Sequence, residues 1–254
     1  MSTEPLIAVF IDYENLAIGV RDMEPKKKSV EIDLVLNRLL KRGRIVFKRA
    51  YCDWSHYKGA ARDLHKLGVS LVDIPQSRVG AKNSADIAMV VDALDLCFSR
   101  EHFNVFALLT GDSDFSPLVS KLRECNKRVL GCGVKSSTSN RLVSSCDEFI
   151  YYDDLVTRAA ARPKRPAKGQ QKKPGRDDAM DQMMEVVRSL AEDYENVWGS
   201  MVKQAMGRVN PGFSHAAFGY SSFTAMLKDA EKSGLITVEH DKTRGNLLVQ
   251  LRES

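Results

Sequence analysis

The alternation of short apolar runs with amphipathic segments between residues 6 and 151 restricts the fold of this chain more than any other feature. The apolar runs predict strands at residues 6–11, 44–50, 69–74, 104–109, 128–134 and 148–151. Apolar residues at helical spacing predict helices at 30–42, 56–67, 85–98, 115–126 and near 139–144, with a loop after the first strand. This order is typical of βαβ units, so we predict an α/β fold with a Rossmann-like parallel sheet covered on both faces.

The helix at residues 85–98 shows how the pattern assigns a buried face. Ser84 precedes it and is a good N-cap residue. Its large apolar side chains recur at helical spacing, which predicts that one face packs on the sheet: Ile87, Val90, Val91, Leu94 and Phe98. Gly43 and Gly68 are expected to end the two preceding helices.

A basic segment divides the chain into two predicted domains. Residues 158–176 carry eight Lys and Arg, no Asp or Glu, and no large apolar side chain. A segment of this composition buries too little surface to offset its ordering entropy, so we predict a disordered linker between a domain at 1–157 and one at 177–254. It is either a plain tether or also an arm that contacts nucleic-acid phosphates, the residues for that role being Lys164, Arg165, Lys172 and Lys173.

Cysteine usage and hydropathy favour a cytoplasmic protein. The five cysteines form no CxxC pair and several lie in apolar patterns, which is typical of reduced thiols rather than a structural zinc site. No apolar run approaches the roughly 18 residues of a membrane span, and the first residues lack the pattern of a signal peptide, so we expect no membrane association.

Carboxylates follow two of the predicted strands and begin one helix. Asp12 ends the first strand, Asp112 and Asp114 follow the strand at 104–109, and Asp86 lies in the first turn of the helix at 85–98. In parallel sheets, ligands bind beyond the carboxyl ends of the strands. If these strands are neighbours, four carboxylates converge, which is costly unless a cation neutralises them. Mg²⁺ and Mn²⁺ prefer such oxygen ligands.

Each of these residues also has a structural interpretation, and both stay open at this point. Asp86 and Asp114 suit the start of a helix, Asp112 a turn beside Gly111, and Asp12 an Asx-turn. Asn15 either orients a ligand or serves a turn, and Lys82 either contacts a phosphate or is solvated. We assign Asn15 and Lys82 to substrate contact, together with Thr110 and Ser113 of the turn that carries Asp112.

Three segments resemble the acidic motifs of the NYN domain, a family within the PIN-like nuclease superfamily. They read FIDYENL, SADIAMVVDAL and LLTGDSDFSPLV, in this order, and the resemblance covers about residues 5–155. By resemblance, Asp12, Asp86, Asp112 and Asp114 correspond to the acidic cluster that holds divalent metal in PIN-like ribonucleases. The resemblance therefore implies Mg²⁺- or Mn²⁺-dependent hydrolysis of RNA phosphodiesters.

The second domain reads as three helices followed by a hairpin, the order of a winged helix. Strands are expected at residues 235–239 and 247–251, with a wing at 241–246. The run FGYSSFTAMLKDAEKSGLI resembles the OST-HTH or LOTUS domain, which implies RNA or protein binding. Residues 177–254 carry eight basic against twelve acidic residues, so any RNA contact should use a local patch. Candidates for that patch are Lys203, Arg208, Lys228 and Arg244, with Phe213 or Tyr220 either stacking on a base or packing in the core.

The function expected from the sequence is that of a metal-dependent ribonuclease with a tethered RNA-binding module. The partners expected are single-stranded or structured RNA and, through either domain, another protein or a second copy. One alternative is a catalytically inactive RNA-binding protein on the same fold. Another is a phosphatase of the haloacid dehalogenase type, but its later GDxxxD pattern is missing because Ser116 stands four residues after Asp112.

Overall fold

A computed structural model describes residues 4–23, 29–75, 83–160 and 175–252. The described residues separate into two compact units, one built mainly from residues 4–160 and the other mainly from residues 175–252. Lys82, Lys164, Arg165, Lys172 and Lys173 were assigned roles from the sequence and lie outside the described residues. Each unit has its own apolar core.

The first unit alternates strands and helices along its whole length. In chain order it contains β1 (Leu6–Asp12), α1 (Tyr13–Met23), α2 (Ile32–Leu40), β2 (Arg44–Cys52), α3 (Lys58–Lys66), β3 (Ser70–Asp73), α4 (Ser84–Ser99), β4 (Val105–Leu109), α5 (Ser116–Glu124), β5 (Arg128–Gly133), α6 (Asn140–Ser145), β6 (Glu148–Tyr151) and α7 (Tyr152–Ala160).

The six strands form one parallel sheet in the order β3-β2-β1-β4-β5-β6. β1 lies in the middle and pairs with β2 on one side and β4 on the other, with Ile11 opposite Leu109. Apolar side chains cover both faces, which confirms the predicted α/β class with a parallel sheet. The strand order reverses direction between β1 and β4, and in open parallel sheets ligands bind beyond the carboxyl ends of the strands at such a point.

The prediction of a loop after the first strand was wrong. Helix α1 begins at Tyr13, directly after β1, and buries Tyr13, Leu16 and Val20. Gly19 interrupts the apolar pattern, which hides the helix in the sequence. A Cβ at Gly19 would lie 2.4 Å from Ser137 Oγ, so glycine allows α1 to pack closely on the chain after β5.

The predicted buried face of the helix at 85–98 was right for Val90 and Leu94, which pack against the core, and wrong for the other three residues. Helix α4 buries Met89, Ala93, Leu96 and Cys97, whereas the larger Ile87, Val91 and Phe98 are 63%, 59% and 62% exposed. This helix is apolar almost all round, so periodicity does not single out one face. Ser84 is its first helical residue rather than its cap, and Asn83 precedes it without a side-chain capping bond.

Residues 161–174 of the predicted linker lie outside the described part of the chain, so the linker itself stays a prediction. Helix α7 runs on to Ala160, since Ala159 and Ala160 are strong helix formers. At the other end, Arg176 is already the first residue of a helix.

The second unit consists of helices and a small antiparallel sheet. Its elements are α8 (Arg176–Asp193), β7 (Val197–Trp198), α9 (Gly199–Val209), α10 (Phe223–Lys232), β8 (Ile236–Asp241) and β9 (Asn246–Leu251). The strands are ordered β7-β9-β8, and β8 and β9 form a hairpin in which Asp241 pairs with Asn246. The strand β8 therefore continues two residues beyond the predicted end at 239.

Both aromatic residues considered for base stacking contribute to the core of this unit. Tyr220 is buried, and its hydroxyl donates a hydrogen bond to Asp229 Oδ2 at 2.8 Å. Phe213 packs against Phe218, with ring centroids 5.6 Å apart. The structure therefore favours the packing role for both residues.

Candidate active site

Asp12 is the last residue of β1, and its carboxylate is buried at the carboxyl edge of the sheet. Its Oδ2 accepts a hydrogen bond from Thr110 Oγ1 at 2.9 Å, and its Oδ1 accepts one from the backbone N–H of Asn15 at 3.2 Å. Thr110 directly follows β4, the strand beside β1. The pairing of β1 with β4 therefore brings together residues 98 positions apart in the sequence.

The environment of Asp12 disfavours a bare negative charge. The pKa of its carboxyl is raised to about 7. Loss of solvent on burial is the largest cause, the hydrogen bonds from Asn15 and Thr110 act against it, and the negative charges of Asp86 and Asp112 add to it. A carboxylate in this position gains from any nearby positive charge.

Asn15 links the start of α1 to the turn after β4. Its Oδ1 accepts a hydrogen bond from the backbone N–H of Gly111 at 2.8 Å. A Cβ at Gly111 would lie 2.5 Å from the carbonyl oxygen of Ser137 and 2.9 Å from Thr138 Cα, so this position has room only for glycine. Asn15 and Gly111 thus hold the turn that carries Asp112 against β1.

Asp112 has a structural role in addition to its place at the edge. Its Oδ1 accepts a hydrogen bond from the backbone N–H of Asp114 at 2.9 Å and so caps the 3₁₀ turn Ser113–Phe115. This confirms that the carboxylate serves the turn. Ser113 is half-buried in the same turn, and Asp114 is exposed.

Asp86 joins this group from the first turn of α4. It is half-buried, and its carboxyl pKa is raised to about 6. Burial is the largest cause, followed by the negative charges of Asp112, Asp114 and Glu14. The charges that raise these two pKa values come from the predicted carboxylates and from Glu14, which the sequence places at the same edge but to which we assigned no role.

Other carboxylates at this edge are engaged in structural bonds. Asp53 follows β2 and accepts from the backbone N–H of Ser55 at 3.0 Å, and Asp73 ends β3 and accepts from that of Trp54 at 3.2 Å. Asp92, on α4, accepts from Arg49 and from Tyr51 at 2.7 Å each. This confirms the structural interpretation of Asp92.

The acidic residues near Asp12 are coupled by charge rather than arranged as a finished coordination shell. Within the described ranges, no group of three or more His, Cys, Asp or Glu side chains is placed to hold a metal ion. The predicted ligands Asp12, Asp86, Asp112 and Asp114 offer carboxylate oxygens, which suit a hard divalent cation. The raised pKa values of Asp12 and Asp86 fit a position where such a cation would be favoured.

A sequence model of the NYN domain matches residues 6–153, more than half of the chain. The chain belongs to the NYN domain family. NYN domains belong to the PIN-like nuclease superfamily, which suggests a nuclease. The matched region contains β1, α4 and the turn after β4, which carry the four carboxylates.

Two similar proteins extend the comparison. An uncharacterized protein of Methanocaldococcus jannaschii is 28% identical over 147 residues, 58% of this chain, and the chain spans 55% of that relative's length. A crystal structure of a Vibrio parahaemolyticus protein of unknown function shares 23% identity with a TM-score of 0.53, covering 61% of this chain and 97% of the other. The similarity to the Vibrio parahaemolyticus protein bears on the fold and not on the activity. In the described part of the chain, none of the helices combines the length and hydrophobicity of a membrane span.

Proposed function

We propose that this NYN protein is a metal-dependent ribonuclease with an RNA-binding second domain. The observation that carries the proposal is the buried carboxylate of Asp12, whose pKa is raised by burial and by the charges of Asp86 and Asp112. Burying a carboxylate beside other carboxylates is unfavourable unless a cation compensates the charge, and such perturbed groups cluster at functional sites. The NYN family membership supports a nuclease.

The four aspartates would hold the cation, and their neighbours would keep them in place. Asp12, Asp86, Asp112 and Asp114 are the proposed ligands of Mg²⁺ or Mn²⁺, which when bound activates a water and neutralises charge on the transition state. Thr110 orients Asp12 by donating to its Oδ2. Asn15 orients the β4 turn through Gly111, and Ser113 and Lys82 are proposed to contact the RNA phosphate.

The second unit is proposed to be a winged helix of the OST-HTH or LOTUS type. Its three main helices and its β8–β9 hairpin support this assignment. Lys203 and Lys228 are exposed and stay candidates for RNA contact, together with the basic residues at 158–176. A tethered binding domain keeps RNA at high effective concentration near the nuclease domain.

A labelled single-stranded RNA, incubated with purified protein and Mg²⁺, Mn²⁺ or a chelator, tests the nuclease proposal. We expect cleavage that requires a divalent ion and is lost in Asp112→Asn and Asp86→Asn. Asp95→Asn is the matched control, because Asp95 is an exposed carboxylate on the same helix as Asp86. Cleavage by Asp112→Asn at the wild-type rate would mean that the observed cleavage does not depend on Asp112, as with a contaminating nuclease. It would reject the assignment of Asp112 to the catalytic site.

A catalytically inactive RNA-binding protein is the second candidate. It is favoured by the coordination geometry, because in the part of the chain that the structure describes the carboxylates do not form a ligating group of three. Metal-independent RNA binding without cleavage by the wild-type protein is the outcome that this candidate predicts. Hydrolysis of a generic phosphomonoester would instead point to a phosphatase, and we expect none.

A further inference from the structure

An open cavity of about 300 Å³ lies in the second unit beside α10. Its walls come from the start of α8, the turn before α10 and one side of α10. The lining residues are Arg176, Gly219, Tyr220, Ser221, Ala225, Lys228, Asp229 and Lys232. We call this cavity the α10 pocket.

Arg176 is fixed in one wall of the α10 pocket. Its Nη2 donates a hydrogen bond to the carbonyl oxygen of Gly219 at 2.9 Å, and its guanidinium lies 5.0 Å from the centre of the Tyr220 ring. Gly219 has a φ of +79°, a left-handed conformation that glycine adopts without strain. Guanidinium groups carry five N–H donors, so most of the donor capacity of Arg176 stays available to a ligand.

Two lysines on α10 face the same cavity. Lys228 and Lys232 are four residues apart, so they lie on one side of the helix, and both are exposed. Neither forms an ion pair or a hydrogen bond with any other described residue. Asp229, the acidic residue of the lining, accepts the hydroxyl hydrogen bond of Tyr220. Three cations and one engaged carboxylate leave the pocket with a net charge of +2, although residues 177–254 are acidic as a whole.

We propose that the α10 pocket binds a phosphate of single-stranded RNA. A fixed guanidinium and two flexible ammonium groups around one concave site suit a phosphate with its ribose, because Arg offers directed donors and Lys a mobile point charge. The acidic excess outside the pocket disfavours a long track along a duplex, which would need many basic contacts. This inference rests on the proposed function, since it locates the phosphate contact of the RNA-binding domain.

The structure also changes the role of Tyr220 in this contact. Its ring supports Arg176 and its hydroxyl engages Asp229, so it organises the pocket rather than stacking on a base. Arg176, which the sequence assigns to the linker, is instead part of the folded site.

The test uses the full chain with Asp112→Asn and a chelator, so that cleavage does not interfere with binding. Fluorescence anisotropy with a labelled single-stranded RNA compares Lys228→Gln/Lys232→Gln with the unsubstituted pocket. We expect roughly tenfold weaker binding. We also expect the slope of log affinity against log salt to fall by about 0.7, since the pocket is proposed to hold one phosphate and each phosphate contact on a single strand contributes about 0.7.

Two further variants separate a phosphate contact from general charge or shape effects. Lys228→Arg/Lys232→Arg should retain the affinity, because it keeps both charges. Lys66→Gln/Lys121→Gln removes two exposed lysines of the NYN domain and should change the affinity less than about twofold. A comparison of RNA with a 5′-phosphate and with a 5′-hydroxyl distinguishes the two kinds of phosphate: tighter binding of the 5′-phosphate form assigns the pocket to a terminal phosphate, and equal binding assigns it to an internal one.

The contradicting results are distinct for the two proposals. Equal affinity and salt slope in the pocket variant and the unsubstituted protein would overturn the inference while RNA binding elsewhere stands. No RNA binding by the protein at all would overturn it too, whereas metal-dependent cleavage by the wild-type chain would leave the nuclease proposal standing. A melting temperature of Lys228→Gln/Lys232→Gln equal to that of the unsubstituted protein shows that this variant is folded.

Discussion

Replacing Asp12 by asparagine should stabilise the metal-free protein at high pH. The carboxyl pKa is about 7 in the folded state against 3.8 without the fold, so the folded protein holds this proton more tightly than the unfolded chain. The protonated carboxyl of Asp12 therefore makes its full contribution to stability below pH 3.8, and this contribution is lost as the pH rises through 7. Three pKa units correspond to roughly 4 kcal/mol. Above pH 7, the ionised Asp12 lowers the free energy of unfolding by about this amount.

Asparagine has the right shape and no charge to bury. Its Oδ1 can accept the Asn15 N–H bond, and its amide can donate to Thr110 after the hydroxyl rotates. We therefore expect the free energy of unfolding of Asp12→Asn to exceed that of the wild type by up to about 4 kcal/mol near pH 8. Near pH 5 this difference should be smaller by roughly 2–3 kcal/mol. The gain exists only with chelator present, because a bound cation would favour the aspartate.

Urea unfolding followed by tryptophan fluorescence measures this difference. Trp54 is buried in the NYN domain and Trp198 lies in the second unit, so a Trp198→Phe background reports the NYN domain alone. Asp95→Asn, which removes an exposed carboxylate of α4, is the control variant. A free-energy difference for Asp12→Asn that is the same at both pH values, or a loss of stability near pH 8, would refute the reasoning.

Three further predictions concern packing and the cation. Met89→Ala should cost about 2–5 kcal/mol, whereas Ile87→Ser on the same helix should change stability by less than about 0.5 kcal/mol, which urea unfolding measures. Gly111→Ala should destabilise the NYN domain and abolish cleavage because its Cβ has no room, whereas Gly59→Ala, with open space around it, should be neutral or stabilise by about 0.4–1 kcal/mol. Wild-type stability in Gly111→Ala, or a loss of stability in Gly59→Ala, would contradict this contrast. Adding Mg²⁺ or Mn²⁺ should raise the melting temperature of the wild type and raise that of Asp12→Asn less; equal shifts would place the cation elsewhere.

The sheet could be predicted from the sequence because its strands are buried and apolar. Each predicted strand overlaps an observed one, and the end of β1 at Asp12 follows from the change from Ile11 to polar residues. The assignment of Ile87, Val91 and Phe98 to the buried face of α4 failed because the helix is apolar on both sides. Its small Ala93 lies on the face toward the sheet, whereas choosing by size selects Ile87 and Phe98.

The place of the candidate site was predictable, but its energetics were not. A parallel sheet brings the ends of β1 and β4 to one edge, so Asp12 and Asp112 meet there by topology. The burial of Asp12 and its bond to Thr110 depend on how two distant segments pack, which single-sequence patterns do not contain. The α10 pocket was missed for the same reason, because Arg176 reads as one more charge in a basic segment.

The hydrogen bond between Thr110 and Asp12 also has a consequence for biosynthesis. It closes only when β4 has added to β1, after almost a hundred intervening residues have been made. A nascent chain that ends before Val105 carries Asp12 as an ordinary solvated aspartate, without Asp112 or Asp114 beside it. A chain still attached to the ribosome at that length therefore lacks the acidic centre on which the proposed nuclease activity depends.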